Sequence, residues 1–255
     1  MTPFLQSVNA LLTRQLYEVN TLVGKMRPSM GPPGRPQCAL FLTIVEQFES
    51  TVRLSQAGLV THAAVHVRSM TEALADLYLL GLDSQHVDRM RHKKLHGEKS
   101  FYEESLKSQH LSDDARKMIS TRLSKCLQEH GPLHAAFKTK RKQAETFADA
   151  GLGHMMAPYV LLCSYAHSDL AALALRHQGD KGMTHRAEVD DGISYLILQL
   201  ASLVLMQATA PIKDVARFPD SVFETQFDAM HQIYTALVAL RPQSDADRDK
   251  QEGRL

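Results

Sequence analysis

Apolar residues recur at three- and four-residue spacings along almost the whole chain, and no run of alternating β-branched residues stands between turn signals. The pattern predicts an all-α protein, a multi-helix bundle of about eight or nine helices. A first helix covers residues 3–24 and ends before Lys25-Met-Arg-Pro-Ser-Met-Gly-Pro-Pro-Gly-Arg-Pro36, whose prolines and glycines cannot continue it. Further helices are expected over 38–56, 58–81, 84–109, 112–129, 132–150, 154–177, 186–209 and 217–240. Their breaks fall at Gly81 to Ser84, at Ser112 as an N-cap, at Gly131-Pro132, at Gly151 and Gly153, between Gly179 and Gly182, and at Pro211.

The apolar pattern is uneven, and the unevenness suggests an organisation. Residues 1–37 form an N-terminal helix and a Pro/Gly-rich linker, residues 38–241 a helical bundle, and residues 242–255 a disordered tail with almost nothing to bury. Residues 84–150 are much more charged than their flanks and are expected as an outer layer or arm over a core made of 38–81 and 154–240. The stretch 154–177 is apolar nearly all round, yet it carries His167 in its middle beside Ser164, Ser168 and Asp169. The run from Ile193 to Met206 falls short of the roughly 20 residues that span a bilayer and is read as a buried core helix.

Composition narrows the picture further. A chain of 255 residues, 44% hydrophobic and 22% charged, is long enough for a sizeable core. Its net charge of +1 excludes a protein held to nucleic acid by its overall field. Cys38, Cys126 and Cys163 are odd in number and far apart, which fits neither a disulfide framework nor a zinc cluster and points to a reducing, cytoplasmic setting. The N-terminus lacks the basic and apolar regions of a secretory signal.

The candidate chemistry begins on the 58–81 helix. Arg68, Glu72 and Asp76 follow one edge at i, i+4 and i+8, while Leu59, Ala63, Val67, Met70, Leu74 and Leu77 make the core-facing stripe. On the 154–177 helix the His167 imidazole falls among Val160, Cys163, Ala171 and Ala174 and needs an internal partner. Glu72 accepting from His167, with Arg68 holding Glu72 ionised, is one arrangement. A core histidine bonded to a backbone carbonyl or a serine is the other.

The order of Arg68-x3-Glu72, then Gln143-Ala-Glu-Thr-Phe-Ala-Asp-Ala-Gly151, then Tyr159-x5-Tyr165-Ala-His167-Ser168, resembles a bacterial helical family catalogued as domain of unknown function 5677. The similarity spans residues 38–205. It implies that Arg68, Glu72, His167 and Ser164 share one site, with Ser168 and Tyr165 as binding residues beside it, and it brings no established activity. A role in bacterial stress response or phage defence is consistent with it.

A second constellation, Arg91-x4-His96, is similar to the R-x4-6-H signature of the helical HEPN ribonucleases. There an arginine and a histidine, often paired across a homodimer, cut RNA without a metal. The chemistry suits the residue types, because histidine moves a proton near neutral pH and arginine neutralises a phosphate. A solvated basic face explains the same residues, as it does the run Lys138-Thr-Lys-Arg-Lys142. His62-x3-His66 has the spacing of a helical metal pair but no evident third ligand. No Glu-x-x-His, nucleophile elbow or P-loop occurs, so neither a metal nor a cofactor is expected. The leading expectation is a non-enzymatic or regulatory helical protein, homodimeric through helix faces, with a protein partner or small ligand and no membrane. The alternative is a metal-independent ribonuclease acting on RNA through Arg91 and His96, or through His167.

Overall fold

The computed structural model describes residues 1–138, 141–166, 169–179, 182–185, 187, 189–240 and 242. It is an all-α multi-helix bundle. Helix α1 (Pro3–Lys25) opens on Thr2, whose hydroxyl accepts from the Leu5 N–H and donates to Asp191, and Pro3 occupies the first turn where its missing N–H costs nothing. Helices α2 (Gly34–Gln56) and α3 (Val60–Leu82) follow, then α4 (His86–Leu106) and α5 (Asp113–Ala136). After α6 (Gln143–Asp149) a 3-10 turn at Gly153–Met155 leads into α7 (Met156–Ala166) and α8 (Leu170–His177). A hairpin of β1 (Gln178–Gly179) and β2 (Gly182–Met183) precedes α9 (Asp191–Thr209), α10 (Ile212–Val215) and α11 (Val222–Ala239).

Helix α3 is the centre of the molecule, packed against α2, α9 and α7. Its stripe of Ala63, Val67, Met70, Leu74 and Leu77 is fully buried, as the periodicity requires. Helix α1 lies on α11, α2 and α9, with Val8, Leu12, Val19 and Leu22 wholly inside. One buried polar link joins α9 to α1, where Ser202 donates to Gln15 Oε1 at 2.6 Å. The antiparallel pair α4 and α5 packs mainly on itself, touches α3 near the start of α4, and buries little beyond His86, Leu95, Cys126 and His130.

Several predicted boundaries are corrected. Helix α5 does not stop at Gly131-Pro132 but runs through them to Ala136. Pro132 has no N–H to donate to the Gln128 carbonyl, and Gln128 is an exposed residue, where the loss of that bond costs least. The expected 132–150 helix shrinks to α6. The expected 154–177 helix is broken into a 3-10 turn, α7 and α8. It is also not dry all round, since Val160 is 53% and Leu170 85% exposed. The segment around 178–183, read as a loop, forms the short hairpin, with Gly182 at φ 114° in the region only glycine adopts freely.

Helix α9 carries its apolar character further than the Ile193–Met206 stretch, and with α10 it is long and apolar enough to cross a membrane by length and composition. It packs against α1, α2, α3 and α11, as the core helix of a globular bundle does. The expected disorder of the tail beyond residue 242 concerns residues outside those described.

Candidate functional site

The polar edge of α3 meets α7. Arg68 and Glu72, one helical turn apart, form an ion pair with Nη2 to Oε1 at 2.8 Å. On α7, Tyr159 and Cys163 are also one turn apart and face them. The Tyr159 hydroxyl donates to Glu72 Oε1 at 2.6 Å and accepts from Arg68 Nη2 at 3.1 Å, while Arg68 Nε donates to Cys163 Sγ at 3.3 Å. The three side chains Arg68, Glu72 and Tyr159 thus close a ring in which one oxygen of Glu72 accepts from Tyr159 and is ion-paired with Arg68. Phe147 of α6, wholly buried, meets the Tyr159 ring edge-on at 5.1 Å and fixes it from behind.

The electrostatics follow from that ring. Burial pushes the Tyr159 phenol up to about 12, and its hydrogen bond to Glu72 adds to the shift against the opposing effect of Arg68. Tyr159 is therefore a donor, not a base, at neutral pH. Burial works to lower the Arg68 pKa, but the hydrogen bonds with Tyr159 and Cys163 and the charge of Glu72 outweigh it and hold the guanidinium above its ordinary range. The group stays cationic throughout and Glu72 is fixed in place.

Glu72 is also part of a cavity wall. Between α3 and the α4–α5 arm lies a cavity of about 480 Å³. Glu72 and Asp76 stand on its α3 side, Arg89 and Lys93 on α4, and Lys138 and Arg141 on the segment leading to α6. Asp76 Oδ1 is 3.0 Å from His86 Nε2, and Asp83 lies 3.5 Å from Arg89 Nε and 3.9 Å from Arg141 Nη2. The Arg89 guanidinium sits 4.6 Å from the centre of the Phe137 ring. Arg89 Nε and Arg141 Nη1 lie buried just behind this wall without hydrogen-bond partners among the described residues. Among the residues that line the space, four are Lys or Arg and two are carboxylates, and Asp83 and Asp149 pair with the two arginines from outside the lining.

Of the predicted site residues, the structure brings Arg68 and Glu72 together and adds Tyr159 and Cys163. His167 and Ser168, central to the expected site, lie outside the described residues. Ser164 is half-buried on α7. Tyr165 is buried, and its backbone carbonyl accepts from Arg176 Nη2 at 2.8 Å, a bond that ties α8 to α7. Arg91 is engaged by Glu129 of α5 at 2.8 Å on the exposed side of the arm, whereas His96 lines the cavity. Five residues apart on one helix, the two point about 140° apart and do not converge on a common target within the chain. His66 is hydrogen-bonded to Gln47 of α2. Sequence reasoning named His96 only as the partner of Arg91 and missed the group it belongs to: His92 and His96 of α4 meet His130 and His134 of α5.

The model of the family of unknown function DUF5677 matches residues 36–184, and the chain belongs to that family. The match contains α2 to α8, hence the Arg68–Glu72–Tyr159 ring, the cavity and the arm. No curated protein and no solved structure matches the chain.

Proposed function

We propose that this protein is a binding protein of regulatory type that takes a small anionic ligand in the cavity between α3 and the α4–α5 arm. The observation that carries this reading is the position of Glu72. It is clamped by Arg68 and Tyr159 on the core side and stands at the wall of an open cavity on the other. A polar set meant only to hold two helices in register has no need of that opening. The cavity volume falls within the range of small-molecule sites, and Arg89, Lys93, Lys138 and Arg141 on its wall, of which Arg89 and Arg141 share Asp83 and Arg141 also meets Asp149, suit a carboxylate or phosphate group. The cytoplasm is the proposed setting, since the three free thiols, of which Cys163 is hydrogen-bonded to Arg68, suit a reducing compartment.

A homodimer through helix faces belongs to the same proposal. Val160 and Leu161 of α7 with Leu170 and Leu173 of α8 are the exposed apolar side chains it would cover. Sedimentation of the wild-type protein at twice the chain mass, and of Leu170→Glu at the chain mass, is the expected result.

The ligand is sought by thermal shift against a panel of small carboxylates and phosphates. At least one compound raises the melting temperature of the wild type, and Arg89→Ala or Arg141→Ala removes that rise. A panel without effect, or a shift that survives both substitutions, overturns the reading.

A further inference from the structure

The arm carries histidines in two pairs with i, i+4 spacing, His92 and His96 on α4 and His130 and His134 on α5. That spacing puts each pair on one helix face. The antiparallel packing of the arm, pinned by Arg91 to Glu129 and by Cys126 donating to the Leu95 carbonyl, turns the two faces toward each other. One ring nitrogen from each of His92, His130 and His134 falls within 4.8 Å of the other two. His92 Nε2 and His134 Nδ1 are 3.3 Å apart.

These distances have a geometric meaning. Nitrogen ligands about 2.0–2.1 Å from a tetrahedral metal ion stand about 3.3–3.4 Å from one another. The His92–His134 pair already spans one such edge. The remaining edges close by at most about 1.5 Å, a movement open to His134, which is exposed, and His92, which is half-buried. The third ring is different in kind. His130 is 5% exposed, and its Nε2 is buried without a hydrogen-bond partner among the described residues. Its ring stacks with those of His92 and His134, and a ring nitrogen buried there is left with a lone pair or a proton unused, which folded proteins avoid.

We propose that His92, His130 and His134 bind a divalent first-row transition-metal ion, with Zn²⁺ as its representative. A set made only of imidazole nitrogens suits zinc, copper or nickel and not calcium or magnesium, which take oxygen. The His96 ring is further off, with centroids 5.7 Å from His130 and 6.1 Å from His92. Three ligands therefore hold the ion, and the fourth position is left toward the cavity, whose wall includes His92, His96 and His134. The site stands on His92, His130 and His134 alone and does not rest on the anionic-ligand reading.

The test uses untagged full-length protein, stripped with a chelator and titrated with Zn²⁺ by calorimetry. The wild type binds one ion per chain, and Co²⁺ in its place gives the visible absorption of a four-coordinate site. His134→Ala and His92→Ala each weaken Zn²⁺ binding at least about 100-fold, while His66→Ala binds as the wild type does. In the wild type itself, Zn²⁺ moves the ring-nitrogen resonances of His92, His130 and His134. This second measurement decides the matter even where a variant loses its fold. The proposal falls if the wild type binds no stoichiometric ion, if both arm variants keep full affinity, or if the resonances that move belong only to other histidines.

Discussion

At the scale of the residue, Tyr159 is the side chain on which the α3–α7 contact turns. Its hydroxyl is donor to Glu72 and acceptor from Arg68, so Tyr159→Phe removes two hydrogen bonds to charged partners and leaves the ring in place. Both partners keep some access to water, with side chains 27% and 32% exposed, and the ion pair between them survives. The expected loss is therefore about 1–2 kcal/mol, below what a sealed site would show, and urea denaturation of the variant measures it. Half of this contact was legible beforehand. Arg68 and Glu72 announce themselves by helical spacing on the border of an apolar stripe. Tyr159 entered only as the start of the family motif and Cys163 only as a neighbour of His167, because in a helix as apolar as 154–166 neither announces a polar partner on another helix. One of the two partners open to His167 was Glu72, and His167 lies outside the described residues; only the α3–α7 packing shows that Tyr159 reaches Glu72.

At the scale of the element, the α4–α5 arm combines a weak core with clustered imidazoles. His92 and His130 have pKa values held below 6.5, so the unfolded arm takes up protons before the folded one does. The groups that act on them, His96 and His134 on both rings and His92 and Lys99 on His130, all disfavour the charged form. Their contribution to stability is present in full above the unfolded value, near pH 6.5, and is lost as pH falls through the lowered folded values. Amide hydrogen exchange is expected to show the α4 and α5 amides losing protection between pH 7 and 5 while those of α3 and α9 keep theirs. Uniform loss across all helices would count against a local cause. The arm also shows why a boundary error can hide chemistry. Ser112 was readable as an N-cap, and its Oγ does accept from the Ala115 N–H at 3.3 Å. Gly131-Pro132 was readable as a helix end, and with that break His130 and His134 fall on different elements. Tertiary contact with α4 and solvent at Gln128 carry the helix through the proline, and only then does the second i, i+4 pair exist.

At the scale of the whole molecule, the family match and the folded unit do not coincide. Residues 36–184 contain α3, nearly all of α2 and the candidate sites, but the inward surfaces of α2 and α3 are covered by α9, and that of α2 by α1 as well. Ile197, Leu198, Ala201, Val204 and Leu205 of α9 are buried, as are Val8, Leu12, Val19 and Leu22 of α1. Burying each of the larger of these is worth about 1.5–3 kcal/mol, so either helix supplies an amount comparable to the roughly 5–15 kcal/mol that separates a folded domain from its unfolded chain. A chain cut to residues 36–184 is therefore expected to be unfolded or aggregated, and so is one that begins after Lys25. Single substitutions read the same dependence more gently. Leu12→Ala, at a site with no exposure, should cost about 2–5 kcal/mol in a denaturant melt. A surface change such as Glu104→Ala, on the exposed side of the arm, should stay within about 0.5 kcal/mol. If the 36–184 fragment instead gives a cooperative thermal transition and a monodisperse elution volume, then α1 and α9 decorate a self-sufficient core. The buried faces of α2 and α3 would then have to find cover within the arm, which their packing against α9 and α1 in the intact chain speaks against.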